Sequence, residues 1–181
     1  MTPRKTARNK APQLPAWVPL ALVVTAAFAV GVFVLPRLSG GGLEGAMAPD
    51  FALPVVYGGE RDTRVRLSEQ RGTPVLLDFW ASWCQPCREQ AKVIEAVRAR
   101  NPALRVLGIN VSDEPNAAQR YLSTANPQWL VVQDSGVANA AYQVEALPTL
   151  VLIAADGKVF AVRRRFVPER ELLAMLAALG A

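Results

Sequence analysis

At 181 residues, 51% of them apolar, the chain has material for one domain of ordinary size and an additional segment, and its core needs no disulfide scaffold. Two cysteines are too few for a stapled secreted framework, and the absence of histidine removes the commonest general base and the commonest metal ligand together. The formal charge is +5, yet Arg4, Lys5, Arg8, Lys10 and Arg37 carry the whole excess, and from residue 40 onward 15 basic residues meet 15 acidic ones, so the folded body has none of the net positive charge expected of a nucleic-acid binder.

Residues 1–16 form a basic arm. Residues 11–36 carry no charge, and the most apolar stretch, residues 17–35, is 19 residues long. As a helix it spans about 28 Å, close to the hydrocarbon core of a bilayer. Trp17 stands where an interfacial aromatic belongs, and the basic arm keeps the N-terminus cytoplasmic, sending the rest of the chain across. The alternative is a cleaved signal peptide, whose apolar region runs about 7–15 residues. Ala46-Met47-Ala48 resembles a cleavage site but lies far from the apolar stretch and is followed by Pro49. The expectation is an uncleaved single-pass anchor, a flexible tether over residues 36–44 around Ser39-Gly40-Gly41-Gly42, and one extracytoplasmic domain over residues 45–181.

Within that domain, residues 51–53 and 64–67 read as short edge strands around the Gly58-Gly59 turn. Residues 75–80 are a mostly apolar run, expected of a strand covered on both faces. A helix is predicted over residues 86–99, with Val93, Ile94 and Val97 at helical spacing and Pro102 beyond its end. A second buried strand follows at 104–111, then a helix at 115–125 with Pro115 in its first turn. A short strand at 130–132 and a helical stretch at 137–142 come next. Strands at 150–154 and 159–162 flank Ala155-Asp156-Gly157-Lys158, a hairpin turn signal. Leu172, Met175, Leu176 and Leu179 mark one face of a closing helix from about Pro168. Alternating strands and helices followed by a hairpin and a last helix specify an α/β layer fold.

Cys84-Gln85-Pro86-Cys87 sits at a strand-to-helix junction. There the positive end of the helix dipole favours the thiolate of Cys84, with Cys87 one turn further in. Pro86 suits the first turn, where its missing N–H costs nothing. A thiolate so placed attacks a partner disulfide, and the second cysteine resolves the mixed disulfide. A zinc site requires four ligands, and no second cysteine pair or histidine exists; a c-type haem attachment requires histidine at position 88, which is Arg88.

The run Leu77-Asp78-Phe79-Trp80-Ala81-Ser82-Trp83-Cys84-Gln85-Pro86-Cys87 resembles the active-site strand and helix of thioredoxins. Ala146-Leu147-Pro148-Thr149 resembles their cis-proline segment. With Ala48-Pro49-Asp50-Phe51-Ala52-Leu53, the N-terminal anchor and the insert at 115–125, the chain resembles the membrane-tethered TlpA/ResA-like branch over residues 45–179. The resemblance implies a thioredoxin-like three-layer fold, a mixed central sheet with flanking helices, behind a transmembrane helix. It implies Cys84 as attacking thiol and Cys87 as resolving thiol, with Asp78 as a buried acid that moves the proton of Cys87. It further implies a substrate groove shaped by Trp83, Gln85, Pro86, Leu147, Pro148 and Thr149. The branch commonly carries Asn at the position of Asp78 and often Glu at that of Gln90, so proton transfer here is expected to be closer to thioredoxin's.

The function expected is reduction of disulfides in exported proteins, with no cofactor beyond the Cys84-Cys87 pair and no metal. An oxidising compartment requires a transmembrane electron donor as partner. Branch members serve apocytochrome c haem attachment, oxidase copper-site assembly or general thiol maintenance. A thiol oxidase or isomerase uses the same residues in reverse. A copper chaperone would use the soft thiolates, but related chaperones carry three residues between the cysteines and a histidine ligand, and this chain has two residues between and no histidine. A peroxidase would require a peroxidatic cysteine in a Pro- and Thr-bearing loop. Trp80 reads as core, Glu89 as a helix-start acid, and Arg163-Arg164-Arg165 as a solvated strand end.

Overall fold

The computed structural model describes residues 42–60, 63–114 and 116–180. The predicted arm, the predicted span at 17–35, most of the tether and Pro115 lie outside the described residues. Among the described residues no helix is long and apolar enough to cross a membrane.

The centre of the domain is β3, Val75–Trp80, buried at every position. A strand buried on both faces must be sandwiched, and its neighbours are apolar to match. β4, Arg105–Asn110, pairs with it in parallel, and β6, Thr149–Ile153, pairs antiparallel on its other side. β5, Leu130–Gln133, extends the sheet beyond β4, and β7, Val159–Arg163, beyond β6. With β1, Ala52–Tyr57, and β2, Arg64–Arg66, the order is β2-β1-β5-β4-β3-β6-β7.

The strand predicted at 51–53 is therefore longer than expected and does not lie at an edge, since β1 is flanked by β2 and β5. Pro54, which has no N–H to give to a ladder, lies within β1. Here the Val55 N–H points to the Thr63 carbonyl on the β2 side at 2.9 Å. The missing N–H of Pro54 thus falls on the β5 side, ahead of the point at Val55 where that ladder begins.

Period-two alternation along β3 sorts its side chains. Leu77 and Phe79 join one core layer with Phe51, Ile109, Val151 and Tyr142. Tyr142 is fully buried, and its hydroxyl donates to the Pro49 carbonyl at 2.8 Å, tying down the chain leading into β1. Leu76 joins the opposite layer, beneath α1, Gln85–Arg100, and α4, Glu169–Leu179. Ile94 and Val97 of α1 and Leu172, Met175 and Leu176 of α4 fill that layer, as their spacing predicts. Each large apolar side chain so buried stabilises the fold by about 1.5–3 kcal/mol. Two shorter helices complete the domain: α2, Ala117–Ala125, beside the β3–α1 junction, and α3, Val137–Ala141, after β5.

The outer edge of β7 is covered by the chain ahead of β1. Gly45 donates to the Val159 carbonyl at 2.7 Å, Val159 donates to Ala46 at 2.9 Å, and the Glu44 carboxylate takes the Val162 N–H at 2.7 Å. An edge strand paired in this way is closed to a second chain.

Candidate active site

β3 ends at Trp80, and the chain turns through Ala81, Ser82 and Trp83 into α1. Cys84 is the N-cap of α1, and Pro86 lies in its first turn. The first turn carries no acid, so nothing opposes the dipole there. The Cys87 N–H donates to the Cys84 Sγ at 3.2 Å, and the two sulfurs are joined in a disulfide with their Cα atoms 5.3 Å apart. Sequence spacing places Cys84 as the exposed thiol, but in this oxidised state both residues are nearly buried, Cys84 at 4% and Cys87 at 3%. Position on the helix, not exposure, separates them: Cys84 caps it and Cys87 lies inside it.

A clamp that no sequence motif announces holds the turn ahead of Cys84. The Asp113 carboxylate, on the loop after β4, accepts from the Ser82 N–H at 2.8 Å, the Ser82 hydroxyl at 2.7 Å and the Asn110 amide at 2.5 Å. One residue earlier, the Ser112 carbonyl takes the Trp83 indole N–H at 3.2 Å. Ser112 adopts a left-handed φ of 54° to present it. No periodicity marks Ser112-Asp113, because the contact joins two loops 31 residues apart.

The expected groove residues gather near the cysteines. The indole of Trp83 is 63% exposed, and Gln85 and Pro86 are exposed beside it. The Leu147-Pro148 peptide is cis, as the resemblance implies, and Leu147 packs against the cluster that contains Cys84 and Cys87. Thr149 differs: it is fully buried and its hydroxyl is committed to the Ala146 carbonyl at 2.7 Å. It shapes the turn before β6 from inside. Arg164 braces the same loop by donating to the Gln143 carbonyl at 3.0 Å. Arg163 and Arg165 pair with Glu171 at 3.3 and 2.7 Å, while Arg164 and Arg165 stay exposed, so the triple arginine is a solvated strand end with partners in its own chain.

Asp78 lies in the middle of β3 and is 2% exposed. Its lateral neighbours in the sheet are Gly108 and Leu150, and its Oδ1 has no hydrogen-bond partner. Desolvation pushes its carboxyl up to about 7, because burial without a partner penalises the charged form. Asp78 and Cys87 line one cleft of about 360 Å³, walled by Trp80, Tyr121 and Trp129. Position 108, beside Asp78, is glycine: a Cβ there would stand 3.2 Å from the Val131 Cγ2 and 3.3 Å from both the Trp80 and the Trp129 indole nitrogens, pressing on three side chains of the cleft wall. Trp80 is core, as expected, and also cleft wall.

Gln90, one turn beyond Cys87, is fully buried and stays clear of this chemistry. Its amide accepts from the Val167 N–H at 2.7 Å and donates to the Val167 carbonyl at 3.1 Å, stitching α1 to the entry of α4. Glu89 falls beyond the first turn of α1 and pairs with Lys92 at 3.0 Å. Among the described residues no three Cys, Asp or Glu side chains gather as a metal-holding group.

A mixed sheet of this order, with a two-cysteine disulfide closing the first turn of the helix after β3 and a cis-proline leading into β6, defines a thioredoxin-like domain. The chain belongs to the AhpC/TSA family, whose model matches residues 45–162. Over 122 residues it is 30% identical to the thiol-disulfide oxidoreductase ResA of Bacillus subtilis, an alignment covering 66% of each chain, just under two thirds of that relative's length. The fold is similar to the crystal structure of a putative thiol:disulfide interchange protein DsbE from Chlorobium tepidum, with a TM-score of 0.68 and 31% identity over 76% of this chain and 98% of that one. It is also similar to a secreted disulfide oxidoreductase of Mycobacterium tuberculosis homologous to E. coli DsbE, with a TM-score of 0.62 and 28% identity over 71% of this chain and 95% of that one.

Proposed function

We propose that the chain is a thiol-disulfide oxidoreductase that reduces disulfides of exported proteins, tethered to the membrane by residues 17–35 and working on the extracytoplasmic side. The observation that carries the activity is the Cys84–Cys87 disulfide at the N-terminus of α1, beside the cis-proline loop and above a buried acid. The charge-free apolar run behind a basic arm supports the location, as does the likeness to a secreted oxidoreductase.

In the reduced enzyme the Cys84 thiolate, stabilised by the helix terminus and the Cys87 N–H, attacks one sulfur of a substrate disulfide. The other substrate sulfur leaves as a thiolate and takes a proton from water. Cys87 gives its proton to Asp78, and its thiolate attacks the Cys84 Sγ. The Cys84–Cys87 disulfide forms and the second substrate thiolate departs, so that two electrons have passed from enzyme to substrate. A donor within or across the membrane then restores the dithiol.

Trapping tests this directly. Cys87→Ser should accumulate mixed disulfides with exported proteins and Cys84→Ser few, read on non-reducing gels. Trapping by Cys84→Ser alone would reverse the roles, and trapping by neither would remove the activity.

A further inference from the structure

Two approaches lead to the redox pair, and their walls meet only at Gln85. The groove expected to hold substrate is shaped by Trp83, Gln85, Pro86, Leu147, Pro148 and Thr149. The cleft of about 360 Å³ between α1 and α2 is lined by Cys87 and Asp78 and, of the groove residues, by Gln85 alone; Cys84 does not line it. Its floor holds a carboxylate oxygen with no partner.

Tyr121 stands out on the α2 side of this cleft. Its ring lies 5.2 Å from that of Trp80 and 5.3 Å from the guanidinium carbon of Arg88. Arg88 is held in turn by the Ser82 carbonyl at 2.8 Å. The other α2 residues of the wall, Leu122 and Ala125, are aliphatic. One half-buried phenol ring thus links α2 both to the wall beside Asp78 and to the turn ahead of Cys84.

We propose that this cleft is the proton port of the resolving step, and that Tyr121 is the positioning residue that sets its width. The inference rests on the exchange chemistry proposed above. Cys87 passes its proton to the Asp78 carboxylate, and its thiolate attacks Cys84 while the substrate still occupies the groove. The departing substrate thiolate takes a proton from solvent, and the Asp78 carboxyl releases its own to water in the cleft. A protein docked over Trp83, Leu147 and Pro148 leaves the rest of the cleft open, so Asp78 can lose its proton before the reduced product undocks. The ionisable groups facing the cleft are Cys87, Arg88, Glu89, Lys92 and Glu95 from α1 and Tyr121 from α2. The strand side contributes only Asp78 itself among ionisable groups, with Trp80 and Val131 beside it.

The test uses the full-length oxidised chain labelled with ¹³C at the aspartate γ-carbons, the Asp78 signal being identified by its loss in Asp78→Asn. Tyr121→Ala should admit water and move the Asp78 midpoint acidward by about one pH unit, whereas Tyr121→Phe should keep the parental value. Ala125→Trp, at the exposed last residue of α2, should narrow the mouth and move the midpoint the other way. In the reduced enzyme the pH–rate profile for resolving a mixed disulfide should move with the midpoint, and in an Asp78→Asn background Tyr121→Ala should leave that profile unmoved. A raised midpoint that neither Tyr121→Ala nor Ala125→Trp displaces overturns the port and leaves the exchange chemistry intact. An Asp78 that titrates as an ordinary carboxylate in the parent overturns the port and the proton role of Asp78 together, while mixed-disulfide trapping by Cys87→Ser still reports on the exchange. If Tyr121→Ala does not fold, Ala125→Trp decides alone.

Discussion

Asp78 carries an energetic cost that pH controls. Its folded-state midpoint, about 7, lies above the ordinary aspartate value of 3.8. Below pH 4 the carboxyl is protonated in folded and unfolded chains alike. Between about pH 4 and 7 the unfolded chain releases the proton and the folded one keeps it, so stability falls as pH rises through that window and levels off above it. A midpoint displaced that far corresponds to a loss on the order of 4 kcal/mol. Asp78→Asn should abolish this slope and be the more stable protein above pH 7, as chemical denaturation at a series of pH values will show. Its disulfide exchange should slow and its pH–rate profile should lose one ionisation; an unchanged profile at parental speed would leave Asp78 a structural acid. The cysteine pair, Asp78 and Pro148 are legible in sequence because each belongs to a short local pattern. Asp113 and Tyr121 are not, since their partners Ser82 and Trp80 lie on other elements.

At the scale of elements, Gln90 shows how two helices are held in step. Both hydrogen bonds of its amide go to Val167. Gln90→Ala would leave a buried N–H and a buried carbonyl unpaired, at about 1–3 kcal/mol each. Gln90→Glu is the sharper test. Protonated, the new carboxyl can replace both bonds; ionised, it faces the Val167 carbonyl and loses one. Burial and that repulsion raise its folded midpoint, so the variant should approach parental stability near pH 4 and fall progressively below it as pH rises. A deficit that does not vary with pH in thermal unfolding would contradict this. The strands and helices themselves are legible nearly at their observed positions, because β3 is a continuous apolar run and α1 and α4 keep helical spacing. The exception is β1, where Pro54 masks a strand that pairs on both sides. The sheet order is not legible in the same way, for pairing between strands far apart in sequence leaves no local trace.

For the whole molecule, the proposed anchor and the redox domain make a joint expectation. Expressed intact, the protein should remain with the membrane fraction at high salt, with its domain accessible to protease from outside the cytoplasm. A freely soluble mature form lacking residues 1–48 would contradict the tether. The direction of electron flow is the central claim, and the reduction potential of the Cys84–Cys87 couple tests it most directly. It is measured by equilibrating the protein against dithiothreitol or glutathione buffers and quantifying thiols by alkylation and mass. A reductase of exported disulfides should lie near the thioredoxin value of about −270 mV. A potential near about −120 mV, that of a strong periplasmic oxidant, would make this protein a disulfide donor and contradict the assignment.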